Sequence, residues 1–224
     1  MTAGQKMTTG DNKPNIISIA GRSGSGKTTF LEKVISYLKK RGYRLGIIKH
    51  AHCGVDIDKK GKDSWRHKNA GAAATLVISP GLISMVKDYE APDSFNRKYN
   101  SDGSKADTIN KKSCQNRQDA IENSHELIEK ESDIVQNESA IIEGVKHYLC
   151  DMDIIIVEGF KYASLPKFEI FRVDAGHDIP LFLDDRNLVA FITDSDYQTG
   201  CPIFGLDDAE AVADLIEKRY ILTS

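Results

Sequence analysis

The sequence contains no apolar run approaching the roughly 20 residues that a bilayer-spanning helix needs, and the expectation is a protein that does not enter a membrane. It also lacks a charge bias. Lys and Arg number 30 against 33 Asp and Glu, a formal net charge of −3, so neither a basic nucleic-acid surface nor a membrane-surface patch is expected. The opening residues "MTAGQKMTTGDNKPN" have no apolar core of the kind a secretory signal carries. The four cysteines, Cys53, Cys114, Cys150 and Cys201, include no pair at CxxC spacing. That favours reduced thiols in a cytoplasmic protein over a disulfide framework. No N-K-x-D or T-K-x-D base-reading signature occurs, and no internal repeat.

What is present is an alternation of strand and helix patterns. Ile16–Ala20 is a short β-branched run and reads as a buried strand. Thr28–Arg41 places Phe30, Leu31, Val34, Ile35 and Leu38 on one helical face, with Gly42 as a stop. Leu45–Lys49 is a second strand, completing a βαβ unit that requires a right-handed crossover. "DSWRHKNAGAAA" reads as a polar helix, Thr75–Ser79 as a third strand, and Leu82–Val86 as its hairpin partner after Pro80-Gly81. Ala140–Leu149 reads as an amphipathic helix. Asp153–Phe160, "DIIIVEGF", is apolar enough to be a central parallel strand. Phe168–Val173 and Leu188–Thr193 are two more strands, and Asp207–Tyr220 a closing helix with acids at its start and bases at its end. The expected class is α/β, with a mostly parallel sheet flanked by helices.

Between these parts, Lys87 to about Ser132 is almost wholly polar and cannot bury a core of its own. The predicted organisation is a flexible arm over 1–14 and one domain over 15–224 that carries a polar insertion at about 88–132. Two readings of the insertion stand: a surface elaboration without direct chemistry, or a lid over a nucleotide pocket.

The chemistry begins at "GRSGSGKTT", where Gly21, Gly26, Lys27 and Thr28 fit G-x-x-x-x-G-K-[ST] between a strand and a helix. Glycines let successive backbone N–H groups curl toward one anion, and the helix adds the positive end of its dipole. The loop Gly21, Arg22, Ser23, Gly24, Ser25, Gly26, Lys27, Thr28 and Thr29 is thus a nucleoside-triphosphate cradle. Lys27 is expected to reach the β/γ-phosphates and Thr28 to ligate Mg²⁺. P-loop proteins usually hold that metal with an Asp at the end of an apolar strand. Here "IIIVEG" offers Glu158 instead, either for the metal or as a structural group, while Asp153 reads as structural.

The segment "KHAHCGVDIDKKGKDSWRH", Lys49–His67, is dense in functional groups. His50, His52 and Cys53 have a zinc-like spacing, but no second ligand pair completes a four-coordinate site. Asp56 and Asp58 alternate, and Asp58 is a candidate Mg²⁺ ligand or water orienter. Asp63 or Ser64 is placed to cap the following helix, a role at least as good for Asp63 as catalysis. Asp194, just past a strand, could accept the N1 and N2 protons of guanine or serve an ordinary turn.

"GRSGSGKTT", "IKHAHCGVDIDKKGKDSWRHKNAGA" and "DIIIVEGFK" occur in this order, and together they resemble the molybdopterin-guanine dinucleotide biosynthesis protein B family. The family pattern resembles K-H-x-H-H followed by D-x-D-K-P-G-K-D-S; here Cys53 stands where the second His of the pair is common and Lys60 where Pro is common. The resemblance covers roughly Asn15–Lys87 and Ala140–Tyr220. It implies a P-loop NTPase-like fold, GTP binding with weak GTPase activity, and an adaptor role beside the molybdenum cofactor guanylyltransferase and molybdopterin. It carries over Lys27, Asp58 and Glu158 as catalytic or metal groups, and Lys62, Asp63, Gly159 and Lys161 as lining the same cleft. It also implies a homodimer. Two other readings stay open: a small-molecule kinase with Arg97 or Arg117 on a lid, and a nucleotide-gated binding module.

Overall fold

A computed structural model describes residues 14–50, 60–79, 82–88 and 138–223. Nearly all of the expected arm and of the expected insertion lie outside these residues, as do His52, Cys53, Asp56, Asp58, Arg97 and Arg117.

The described chain forms one eight-stranded sheet. In chain order its elements are β1 (Asn15–Ala20), α1 (Lys27–Lys40), β2 (Leu45–His50), α2 (Asp63–Ala70), β3 (Ala74–Ser79), β4 (Leu82–Lys87), a helix α3 over 138–145 continuing as a 3₁₀ turn Lys146–Leu149, β5 (Ile154–Glu158), β6 (Lys167–Phe171), β7 (Leu188–Thr193), β8 (Ile203–Phe204) and α4 (Ala209–Ile216). The strand order is β4-β3-β2-β5-β1-β6-β7-β8. Every neighbouring pair is parallel except the β3–β4 hairpin at one edge.

Strand alternation sends the apolar residues to two cores. On one face, Ile17, Ile19, Ile47, Ile154, Ile156, Phe168, Ile170 and Ile192 meet α1 through Leu31, Val34, Ile35 and Leu38, and α4 through Val212 and Ile216. On the other, Ile48, Leu76, Ile78, Ile155 and Val157 meet Ile142, Val145 and Leu149. A strand buried on both faces has no polar side to show, which is why Ile154–Val157 is continuously apolar. Each such side chain contributes about 1.5–3 kcal/mol on burial, so this central strand anchors both layers.

Several boundaries differ from the sequence pattern. The polar helix stops at Ala70 because Gly71 turns left-handed (φ 113°) and directs Ala72 into the first core and Ala73 and Ala74 into the second, at the start of β3. The closing helix is α-helical only over Ala209–Ile216 and widens into a π turn, Glu217–Ile221, where Arg41 and Tyr43 of the α1–β2 connection bind Glu217. Asp208 precedes it, but its carboxylate accepts the Gly205 N–H, not a helical one, so the expected acidic cap is not made. The two-residue strand β8 is too short to leave a periodic signal.

The start of the phosphate loop is pinned between β1 and β6. Gly21 has φ 137°, and a Cβ there would lie 2.3 Å from the Ile170 carbonyl oxygen. Gly21→Ala should therefore cost about 1–3 kcal/mol in urea unfolding, and an unchanged midpoint would contradict this packing.

Candidate functional site

β1 and β5 are adjacent and parallel, with Ile19 in register with Glu158, so the loop after β1 and the carboxylate ending β5 emerge side by side. Gly26, with φ 87°, gives α1 a left-handed N-cap that only glycine adopts without strain. The helix then begins at Lys27 with its first-turn N–H groups facing the loop. Lys27 Nζ donates to the Arg22 carbonyl at 2.5 Å, folding the ammonium over the loop backbone. Burial lowers its pKa, with Lys49 and Lys161 pushing the same way and Glu158 opposing them.

Glu158 is fully buried and organises the site. Its Oε1 accepts the Thr28 hydroxyl at 2.9 Å and the Lys49 ammonium at 2.7 Å. Its Oε2 accepts His67 Nε2 at 2.8 Å. Burial alone would raise this carboxyl, but the His67 hydrogen bond and the Lys49 charge prevail and depress it to about 2. Lys49 also pairs with Asp63 Oδ2 at 2.9 Å. Burial works against the Lys49 charge too, yet Glu158 and Asp63 together raise its pKa.

The remaining predicted residues fall around this hub. Asp63 is not the helix cap: Lys62 occupies that position without a side-chain cap bond, and Asp63 turns inward to Lys49. Lys62 itself is exposed. Gly159 turns left-handed (φ 97°) against the His50 backbone, with a virtual Cβ 3.1 Å from the His50 carbonyl, and Lys161 follows on the same loop. Asp194 Oδ1 accepts the Val173 N–H at 2.9 Å, which ties the end of β7 to the segment just past β6. His50 stacks on Phe160 at 4.9 Å, and no group of three or more His, Cys, Asp or Glu suited to a metal occurs among the described residues.

Three kinds of residue escaped the sequence reading. Lys49 and His67 bound the Lys49–His67 segment but carry no local signal of their own, because only strand pairing (Lys49 with Glu158) and the placement of α2 bring them together. Arg66 chelates Glu32 at 2.7 Å through both of its contacting nitrogens and reaches the Thr29 hydroxyl at 3.0 Å. Lys167 and Glu169 are buried on β6: Glu169 accepts the Leu181 and Phe182 N–H groups at 2.6 and 3.0 Å, and Lys167 pairs with Asp185 at 3.0 Å. They hold a segment that touches the phosphate loop twice, the Arg22 guanidinium donating to the Ile179 carbonyl and the His177 ring meeting the Ser23 carbonyl. The alternation in "KFEIF" puts Lys167 and Glu169 on one face, but it does not say that the face is covered.

A hydroxyl and a carboxylate beside a phosphate cradle suit Mg²⁺, a hard cation that takes one or two protein oxygens and completes its shell with phosphates and water. Thr28 and Glu158 would hold it here, where it would neutralise charge developing on a terminal phosphate.

The family model described as molybdopterin guanine dinucleotide synthesis protein B, MobB, matches residues 16–109 and 97–194. The molybdopterin-guanine dinucleotide biosynthesis adapter protein of Escherichia coli is 30% identical over 201 residues, 90% of this chain and 90% of that one. The adapter protein of Haemophilus influenzae is 40% identical over 85 residues, 38% of this chain and 48% of its own. A crystal structure of Bacillus subtilis MobB covers 92% of this chain and 98% of its own at 21% identity, with a TM-score of 0.44.

The depressed Glu158 pKa sets a pH signature. Its folded value of about 2 lies below the ordinary 4.5, so its stabilisation is complete above about pH 4.5 and is lost as pH falls toward 2. Glu158→Gln should cost about 3–5 kcal/mol at pH 7, the penalty for breaking a buried pair. The gap to wild type should narrow on acidification below 4.5. A gap that stays constant from pH 7 to 3 would refute the assignment.

Proposed function

The chain belongs to the MobB family, and from that premise we propose that it is a GTP-binding adaptor with slow GTPase activity in the biosynthesis of molybdopterin guanine dinucleotide. The observation that carries the nucleotide part is the meeting of the phosphate loop with a metal-competent carboxylate: Thr28 Oγ1 lies 2.9 Å from Glu158 at the join of β1, α1 and β5. The base is guanine and the metal Mg²⁺ in this reading. Slow hydrolysis fits the commitment of Arg66 to Glu32, since an arginine free to reach the transferring phosphate is worth 10³–10⁵ in rate. The protein acts in the cytoplasm beside the guanylyltransferase that handles molybdopterin; among the described residues no helix is long and apolar enough to cross a membrane.

The adaptor works as a homodimer. Among the described residues β4 ends the sheet, and Ile83 and Met85 on one of its faces and Leu82 on the other are 54%, 47% and 43% exposed. An edge strand with unpaired backbone groups and apolar side chains supports pairing with a second copy.

Two measurements test this reading. Lys27→Ala should abolish GTP binding in calorimetry, and retained affinity would remove the phosphate-loop assignment. Incubation with γ-labelled GTP and molybdopterin should release label as free phosphate, whereas label on the pterin would make the protein a kinase. For the dimer, Ile83→Lys should shift sedimentation from dimer to monomer; a wild-type chain that sediments as a monomer would refute it.

A further inference from the structure

We infer that Lys49 is a positioning residue that competes with the divalent ion for Glu158, serving as the resident counter-cation of the site until metal and nucleotide arrive together. This rests on the nucleotide reading above and adds a control on metal affinity to it. The geometry is specific. Thr28 and Glu158 are the two protein groups suited to the metal, and Lys49 Nζ lies 2.7 Å from the same carboxylate oxygen, Oε1, that accepts the Thr28 hydroxyl. One carboxylate oxygen offers about two lone-pair sites, and these two donors occupy both. The other oxygen is held by the buried His67. A divalent ion can take Oε1 only if one of these donors leaves; the Thr28 hydroxyl can keep its proton on Oε1 while its own lone pairs face the ion, so it is the Lys49 ammonium that must withdraw.

Lys49 has a place to withdraw to. Asp63 Oδ2 is already 2.9 Å from the same ammonium, so the lysine can leave Glu158 without becoming an unpaired charge. The gain is that Glu158, fully buried, never faces the cost of a bare carboxylate. The consequence is weakened affinity for a metal ion alone, because Lys49 repels it and holds its ligand. Nucleotide phosphates must tip the balance, so metal loads with its nucleotide.

A residue with a merely structural role, when removed, would loosen the metal site. Removal of a competitor tightens it. Mn²⁺ affinity of the full-length protein with GDP, measured by electron paramagnetic resonance, should therefore rise about fivefold or more in Lys49→Met. The ligand-free variant should melt below wild type, and this deficit should shrink when Mn²⁺ and GDP are added. Lys49→Arg keeps the charge and should bind Mn²⁺ no more tightly than wild type; if Lys49→Met does not fold, tighter binding by Lys49→Arg still overturns the inference. Unchanged or weaker Mn²⁺ binding by folded Lys49→Met also overturns it. Wild-type protein that binds neither GDP nor Mn²⁺ instead sinks the nucleotide reading, and this inference with it.

Discussion

The side of the phosphate loop that faces β5 depends on one buried carboxylate. Glu158 ends the central strand, where β1 and β2 flank it, and its two oxygens collect Thr28 from α1, Lys49 from β2 and His67 from α2. A buried charge survives only if it is paired and hydrogen-bonded, so these elements are locked into one arrangement by a single electrostatic requirement. Apolar packing on two faces and the backbone ladder set the register of these strands, and the Glu158 contacts add a tighter demand, since each needs a donor within about 3 Å.

A second polar frame supports the other side of the loop. Lys167 and Glu169 point away from the α1 core and clamp the segment before β7 through Asp185 and the Leu181 and Phe182 amides. Burial raises the Glu169 pKa even though two backbone N–H groups oppose this. The clamped segment reaches back to Arg22 and Ser23, so the outer wall of the cradle is set by strand β6 as well as by the loop itself. Asp194 contributes at the same place by bracing Val173, just past the end of β6.

The legible features were those carried by short-range patterns. The phosphate loop, the central placement of β5, the β3–β4 hairpin and the position of Glu158 beside the loop follow from local spacing and apolar periodicity. The membership of Lys49 and His67 in the site did not, because they lie 109 and 91 residues from Glu158 in the chain. Asp63 was ambiguous for a related reason. Its position suits a helix cap, and only the nearness of Lys49 from another strand draws it inward. The extent of the polar helix was also misread, because the alanines after Gly71 are good helix formers until the left-handed glycine turns them into the core.

The sequence by itself determined that a phosphate-binding loop sits between a buried strand and a helix, since glycine conformation and the order Gly-Lys-Thr are local properties. It also determined, through its motifs, the family to which the chain belongs. Only the tertiary structure decided what Glu158 is bound to and that Lys49 shares an oxygen with Thr28. Strand order and register set those contacts, and they come from packing two apolar faces over the whole chain, which no local pattern encodes.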